Sequence, residues 1–352
     1  MVFSMPYALC SMLYAYSLLM EEKINLSHGS GFKATREIIE NIIKKYLGNE
    51  VLSPLADSAV VSLSDKEIAF TTDSYTVNPL FFKGSDIGKL AVYGTVNDLS
   101  VSGARPLFLS LGIIVEDGFS MKDFEKIIRS VKEAKAQSGV EIVCGDFKVV
   151  EKGKADKIFI NTAGIGLIQK KVGTNLIEPG DAVIVNGFLG DHEISILLSR
   201  REFDFEADIK SDCAPLNKAI GKLIKECKTL KFMRDLTRGG LGVALNEVVL
   251  DLNNYGFRII QTSLPVREPV KSICDLLGYD PLFLANEGKF MLVVSDGEKD
   301  KAVDILKKEG FRYSAAIGSV VKDNPRKVIV KTSIGGERIL DYPYAGQLPR
   351  IC

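Results

Sequence analysis

The stretch Asp86–Val101, DIGKLAVYGTVNDLSV, decides the fold of the first half of the chain. Asn97 and Asp98 lie inside this otherwise apolar segment, where polar groups cost stability unless they are partnered. They therefore lie either on a solvent-exposed side or at a ligand, and with Asp57 and Asp73 they offer the oxygen donors that magnesium prefers. Three- and four-residue spacing predicts a helix whose buried face is formed by Ile87, Leu90, Ala91, Gly94, Val96 and Leu99.

Strands and further helices are predicted on both sides of this helix. In the first half they are the strands 59–63, 68–72, 106–115, 140–143 and 158–168 and the amphipathic helix 121–138. Asp57 precedes the first of these strands and Asp73 follows the second, while Asp146 and Lys148 follow the strand 140–143. A second half begins near Lys170 and repeats a rough order of strands and helices. In that half His192 has Glu193 beside it but no third metal ligand nearby, so we interpret it as a surface or packing residue.

Two glycine-rich loops each precede a predicted helix. The first contains His28, Gly29 and Gly31, and the second contains Gly239 and Gly240. Such loops let backbone N–H groups approach an anion at the positive end of a helix, although each is also compatible with an ordinary turn. The chain has no GxxxxGK[ST], no GxGxxG and no serine or cysteine triad pattern, which excludes the commonest nucleotide signatures.

The chain ends in Pro349-Arg350-Ile351-Cys352. A thiolate is a strong nucleophile, and prolines in the approach to it disfavour helix. Twelve extended residues reach roughly 40 Å, so this tail can carry its thiol to a distant pocket. The alternative is a frayed terminus with an incidental cysteine.

Composition excludes several classes of protein. Lys plus Arg and Asp plus Glu both number 45, so no net field favours nucleic acid or an anionic membrane. The six cysteines form no CxxC pair and no zinc-like cluster, and scattered single cysteines fit a reducing cytoplasm. We interpret the apolar run 1–20 as a start-site artefact or a loose extension, with a membrane anchor as the alternative.

From Ile24 to Cys352 the chain resembles the HypE hydrogenase-maturation proteins. The resemblance implies a PurM-like α+β fold with an N-terminal domain at 21–169, a C-terminal α/β domain at 170–340 and a mobile tail at 341–352. It also implies a homodimer formed through the first domain's sheet, with ATP at the dimer-built site. The motifs that carry it are HGSG 28–31, TTDS 71–74, DIGKLA 86–91, GTVNDL 94–99, GARP 103–106, GDFKVV 145–150, DLTRGG 235–240, NEG 286–288 and the closing PRIC.

The resemblance further implies a reaction. Cys352 receives a carbamoyl group from the partner HypF, and ATP is used to dehydrate it to a thiocyanate. The cyano group then passes to the HypC–HypD complex for the iron of [NiFe] hydrogenase. Lys148 is expected to steady the oxygen or the phosphoryl group and Glu287 to act as the base. Phosphate or magnesium ligands are expected at His28, Gly29, Gly31, Asp57, Asp73, Asn97, Asp98, Asp146, Gly239 and Gly240.

Two departures from the family pattern and two rival functions qualify this expectation. Phe32 stands where the family's loop has another glycine, which weakens the case for backbone contact with phosphate there. Asp57 is a single acid where related enzymes have a pair. The rivals are a PurM-like kinase or synthetase on a free small molecule, with an inert tail, and a non-catalytic scaffold that presents Cys352.

Overall fold

The computed structural model describes residues 31–43, 46, 50, 53–63, 66–200, 207–346 and 351. Predictions for the run 1–20, for His28 and Gly29 and for the thiol of Cys352 therefore lie outside the described residues.

The first domain is a five-stranded sheet with helices on one face. Its strands are ordered β1-β2-β7-β5-β6 and are antiparallel except for the parallel pair β5–β6. In chain order the elements are α1 (Lys33–Ile38, extended by a π-helical turn at Ile39–Ile43), β1 (Ala59–Leu63), β2 (Lys66–Tyr75), the short β3 (Phe81–Phe82) and β4 (Ser85–Asp86), α2 (Ile87–Val101), β5 (Ala104–Glu116), α3 (Met121–Ser138), β6 (Glu141–Val150) and β7 (Ile158–Ile168).

Helix α2 lies at the centre of the molecule. Asp86 caps it by accepting from the backbone N–H of Gly88 at 2.8 Å and that of Lys89 at 3.2 Å. Gly94 lets the helix lie directly on β2, because a Cβ there would be 2.2 Å from the Tyr75 hydroxyl oxygen. The prediction of a single buried face was wrong: apart from Lys89 and Asp98 every residue of α2 is buried, since helix α3 and the second domain cover the sides that the sheet does not.

The second domain is a seven-stranded sheet ordered β14-β13-β10-β12-β8-β11-β9. Successive residues of β8 point into two different cores, Val183 into one and Ile184 into the other, so both faces of this sheet are covered. Its elements are β8 (Ala182–Val185), α4 (Asp191–Arg200), α5 (Asn217–Glu226), β9 (Leu230–Asp235), α6 (Gly240–Asp251), β10 (Gly256–Ile260), α7 (Glu268–Leu277), β11 (Phe290–Val294), α8 (Lys299–Lys308), β12 (Ala315–Val321), β13 (Val328–Lys331) and β14 (Glu337–Ile339).

Strand β6 is longer than predicted. The predicted strand 140–143 was to end before Asp146 and Lys148, but β6 continues to Val150 and both residues lie within it. The glycine and charged residues after Val143 interrupt the apolar pattern, yet β5 still pairs with β6 through Glu116↔Val150. Sheet pairing therefore overrides the local sequence signal.

The approach to the C-terminus lies against the body of the protein. The N–H groups of Lys33 and Ala34 donate to the carbonyls of Pro343 and Tyr344 at 3.2 and 3.0 Å. The Tyr342 hydroxyl donates to Glu247 at 2.9 Å. Across the described residues, no helix combines the length and apolarity that a bilayer crossing requires.

Candidate active site

Acidic side chains from both domains meet beside helix α2. Burial, first of all, and then the charge of neighbouring carboxylates raise the pKa of Asp98 well above its ordinary value. The same two causes raise the pKa of Asp235 to about 8. Burial also raises the pKa values of Asp57 and Asp73, although an arginine opposes the shift at each of them. The predicted acids Asp57, Asp73 and Asp98 are thus brought together, and Asp235 joins them.

This acid cluster, formed by Asp57, Asp73, Asp98 and Asp235, suits a hard cation. In the described part of the chain no three His, Cys, Asp or Glu side chains already stand as a metal-holding group. The donor set is nevertheless all carboxylate oxygen, which Mg²⁺ prefers, and a divalent cation would relieve the mutual repulsion that raises these pKa values. The cluster therefore fits magnesium, and its role as a metal site stays a prediction.

Asn97 joins the two domains. Its side-chain amide donates to the carbonyls of Ala214 at 3.1 Å and Glu287 at 3.2 Å, and its oxygen accepts from Leu216 N–H at 2.8 Å. The solvent-face interpretation is wrong for this residue, which is 2% exposed. In the structure Asn97 fixes the backbone at Glu287, and its predicted role in cofactor binding is untested.

Glu287 is held rigidly in the buried turn 286–288. Its N–H donates to the Asp212 carboxylate at 2.9 Å, and Asn286 next to it uses its side chain to bind the carbonyl of Leu236 at 3.0 Å. Gly288 permits the close approach of the 212–214 loop, because a Cβ there would be 2.0 Å from the Asp212 carbonyl oxygen.

The Glu287 carboxyl group is 3% exposed, and within the described structure its Oε1 atom makes no hydrogen bond. Burial, together with the charges of Asp235, Asp212 and Asp73, raises the pKa of Glu287 well above its ordinary value. A carboxyl group with a raised pKa holds an accepted proton more firmly than an ordinary carboxyl group does, which suits a general base.

A cavity of about 260 Å³ adjoins the acid cluster. It brings together the two glycine-rich loops, because a Cβ on Gly31 would be 2.8 Å from Cβ of Arg238. Gly239 and Gly240 have φ values of +81° and +57°, and a Cβ on Gly240 would be 2.3 Å from the Leu284 carbonyl oxygen. The cavity is lined by cationic side chains as well as acids, and those cations are Arg36, Arg234 and Arg238. Cations and a helix N-terminus at one cavity can bind a polyphosphate.

The two departures from the family pattern have structural counterparts. Phe32 packs on Phe283 with ring centroids 6.5 Å apart and is 5% exposed. The single acid Asp57 lies 3.5 Å from Arg234, which also pairs with Glu247 at 2.5 Å. The negative charge of Asp57 is thus partly neutralised by Arg234.

Asp146 and Lys148 lie on the other face of the first sheet. Lys148 is in register with Ile114, whose side chain is exposed, and it pairs with Asp146 at 2.8 Å. Glu287 lies near Asp73 and α2, on the helix-covered face. Within one chain the sheet therefore stands between Lys148 and Glu287, and the predicted partners are not brought together.

Two functional candidates were missed from the sequence alone. Asp235 ends β9 immediately before the second glycine-rich loop, and the acid-at-strand-end rule applied to Asp73 would have found it. His192 was interpreted as a surface or packing residue, whereas its ring is fully buried and hydrogen-bonded at both nitrogens. No local sequence signal distinguishes such a histidine, because its partners are 19 and 159 residues away.

Family models identify both domains. The N-terminal domain of AIR synthase related proteins matches residues 55–168, and the C-terminal domain matches residues 178–331. A carbamoyl dehydratase HypE of Azotobacter vinelandii is 39% identical over 95% of this chain and 98% of its own length. The chain belongs to the HypE family. A putative hydrogenase expression/formation protein of Methanocaldococcus jannaschii is 44% identical over 94% of this chain and 100% of its own.

Solved HypE structures share the fold. A HypE–HypF complex superposes with a TM-score of 0.82 at 44% identity, covering 87% of this chain and 99% of that one. A HypE in complex with ATP superposes with a TM-score of 0.78 at 41% identity, covering 94% and 100%. These matches confirm the predicted two-domain α+β PurM-like architecture and the family resemblance.

Proposed function

We propose that this HypE-family protein is an ATP-dependent carbamoyl dehydratase acting on its own C-terminal cysteine in hydrogenase maturation. The observation that carries the proposal is the buried Glu287 carboxyl group, whose Oε1 is unbonded among the described groups and which lies beside the acid cluster and the cation-lined cavity. Relatives of 36–41% identity that are named carbamoyl dehydratase HypE support it.

The chemistry requires a phosphate leaving group. Hydroxide leaves poorly from a carboxamide, so the oxygen of the S-carboxamide on Cys352 attacks the γ-phosphorus of ATP, ADP departs, and the nitrogen releases the first of its two protons to solvent. Glu287 then takes the remaining N–H proton while the C–O bond breaks, which releases phosphate and leaves the thiocyanate. Mg²⁺ held by Asp57, Asp73 and Asp98 would supply charge neutralisation for the phosphates. Enclosure between the domains keeps water from hydrolysing the phosphorylated intermediate.

The cavity beside the acid cluster is the proposed ATP site. Gly31 lets the two glycine-rich loops approach one another, Gly239 and Gly240 form the turn into α6, and Arg36, Arg234 and Arg238 provide positive charge. The ATP complex of a 41% identical HypE supports ATP binding, and the assignment to this cavity rests on its lining. His28 and Gly29, in the first loop, keep their proposed role on sequence grounds alone.

A second copy of the chain is the proposed cover of the first sheet. Phe70, Ile165 and Phe108 face one another across β2, β7 and β5, and they are 47%, 38% and 45% exposed. Three large apolar side chains in one exposed row, here called the open face, are typical of an interface. A homodimer would bury this row and enclose Asp146 and Lys148 at its margin.

Lys148 is proposed to act across that dimer interface. Within one chain the sheet stands between it and Glu287, so its ammonium group reaches a catalytic site by contributing to the site of the other copy. There it would steady the carbamoyl oxygen or the transferring phosphoryl group.

The partners follow from the same reaction. A HypF-type carbamoyltransferase supplies the carbamoyl group, which the HypE–HypF complex of a 44% identical relative supports. We propose that the HypC–HypD complex receives the cyano group and that the exchange takes place in the cytoplasm.

Intact-mass analysis tests the function directly. After supply of the carbamoyl donor we expect Cys352 to gain one carbamoyl group, and after ATP to lose one water. The Cys352→Ala chain is the matched control and should show neither change while still binding ATP. Carbamoylation without loss of water would reduce the protein to a carrier, and phosphorylation of a free small molecule by the Cys352→Ala chain would favour a PurM-like kinase.

A further inference from the structure

The penultimate residue of the chain is buried at the junction of the two domains. Ile351 is 6% exposed, and its side chain belongs to a core cluster that includes Tyr75 and Ile87 of the first domain and Ile196 and Ala285 of the second. Side-chain packing is not the only contact that holds Ile351 here, because its main-chain carbonyl also has a hydrogen-bond partner.

That partner is His192, at the start of α4. Its Nε2 lies 3.0 Å from the Ile351 carbonyl oxygen and its Nδ1 lies 2.8 Å from the Ser211 hydroxyl. A carbonyl only accepts, so Nε2 carries the proton and donates it. The Ser211 oxygen accepts from Cys213 N–H at 3.1 Å. In a neutral ring Nδ1 has no proton, so the Ser211 hydroxyl donates to it.

A neutral ring agrees with its surroundings. The imidazole is fully buried and meets the Phe82 ring edge-on, with centroids 5.5 Å apart. Burial lowers the pKa of His192, and Lys289 lowers it too, while Asp212 raises it. The ring is thus a single N–H donor facing the tail.

The segments that hold Ile351 also hold Glu287. Asp212, next to Ser211, accepts from Glu287 N–H at 2.9 Å. Glu193, next to His192, accepts from Ala285 N–H at 2.6 Å, two residues before Glu287. Two short connections therefore tie the tail's binding point to the proposed base.

We infer that His192 is a positioning residue that latches the C-terminal tail beside Glu287 through the Ile351 carbonyl. The inference rests on the proposed function for its purpose but not for its geometry. By standard bond lengths, the thiol of the following residue lies within about 5 Å of that carbonyl carbon. One hydrogen bond and one isoleucine make a latch weak enough to open for a partner.

Two substitutions of His192 separate the hydrogen bond from the space the ring fills. His192→Leu removes the donor, whereas His192→Gln keeps an N–H at a similar reach. The matched control is Ser195→Ala, which removes a buried hydrogen bond from α4 to Lys83 without touching the tail. Ile351→Ala loosens the latch from the other side and leaves α4 intact.

The first measurement is the alkylation rate of Cys352, read on its C-terminal peptide in the full chain. Cys352 should react roughly tenfold faster in His192→Leu and in Ile351→Ala than in wild type. Each variant lacks one contact that holds the tail in place, either the hydrogen bond or the buried side chain. The Gln and Ser195→Ala variants should stay within about twofold of wild type. A wild-type alkylation rate in His192→Leu would overturn the latch.

The second measurement is single-turnover dehydration of carbamoylated protein. The Leu variant should lose roughly tenfold in rate with an unchanged Kd for ATP, and the Gln variant should recover most of it. Faster alkylation with unchanged dehydration would overturn the positioning role. If wild type itself fails to dehydrate while the alkylation pattern appears, the latch stands and the proposed function fails.

Discussion

Glu287 and Lys148 have opposite surroundings, although both are expected to act on the same substrate. Glu287 is 3% exposed and is fixed by Asn97 and Asp212. The Lys148 side chain is 64% exposed and touches one neighbour, Asp146, among the described residues. A single chain thus completes the environment of the base and leaves that of the cation open, and the proposed dimer is meant to account for this difference.

The two sheets differ in the same way. The second-domain sheet has a hydrophobic core on each face, while the first-domain sheet has helices on one face and the exposed row Phe70, Ile165 and Phe108 on the other. The second domain is self-sufficient in this sense, whereas the first-domain sheet has an open face that the proposed dimer would cover. The following predictions test this contrast, from the largest expected effect to the smallest.

Replacing Glu287 with Gln should have the largest effect. The shape is kept but the base is lost, so single-turnover dehydration should fall by about 10²–10⁴. The wild-type rate should rise with pH as Glu287 loses its proton, and the variant should lack this limb. Rates are measured by intact mass, with ATP binding and unfolding transitions as controls. A variant within tenfold of wild type would remove Glu287 from the chemistry.

Lys148→Ala should slow dehydration by about 10²–10³, and mixing should reveal where the lysine acts. In a dimer of one Lys148→Ala copy and one Glu287→Gln copy, a site built across the interface keeps both groups once. Mixed and re-equilibrated inactive variants should therefore regain activity, up to about a quarter of wild type by random pairing. No recovery would mean that both residues act within one chain.

A charge on the open face should weaken assembly. Phe108→Lys places an ammonium group twice in a two-fold interface, so the dimer dissociation constant should rise about tenfold or more. Analytical ultracentrifugation measures this, and Met121→Lys is the matched control because Met121 is 80% exposed at the start of α3. A monomeric wild type, or equal effects of both lysines, would contradict the proposed interface.

Glu193→Gln should change stability in a pH-dependent way inside the self-sufficient domain. Burial raises the pKa of Glu193 from 4.5 to about 7, so the folded state holds this proton more tightly than the unfolded state does. The contribution is fully present below pH 4.5 and is lost as pH rises through 7. In the variant the Gln side-chain oxygen still accepts from Ala285 N–H, but it does not titrate, so this loss of stability with rising pH is absent.

Relative to wild type, Glu193→Gln should therefore gain about 3 kcal/mol in unfolding free energy between pH 4.5 and 8. Denaturant titrations at the two pH values measure it, and exposed Glu125→Gln is the control. A difference independent of pH would show that burial does not hold this proton.

Periodicity predicted many elements well because their signals are local. The predicted strands 59–63 and 158–168 and the predicted helix 121–138 have the observed bounds. The predictions failed where pairing partners are distant in sequence. β10 and β13 lie side by side although some 70 residues separate them, and β6 continues through charged residues because β5 pairs with it.

The candidate site was predicted in part. Acids at strand ends and glycines before helices carry local meaning, so Asp57, Asp73, Asp98, Gly31, Gly239 and Gly240 were singled out. No local pattern singles out His192, because its proposed role depends on contacts with Ser211 and Ile351, which are distant in sequence.

The sequence by itself determined the family, the two-domain order and the residue types available for chemistry, since those reside in local motifs and spacing. Only the tertiary structure decided which side of the first sheet each group occupies. Strand alternation places Asp73 on the covered face and Lys148 on the open one, and that assignment depends on which face the helices cover. The physical reason is that the burial of a residue depends on how all the helices and strands pack together, whereas a sequence motif reflects only residues that are close along the chain.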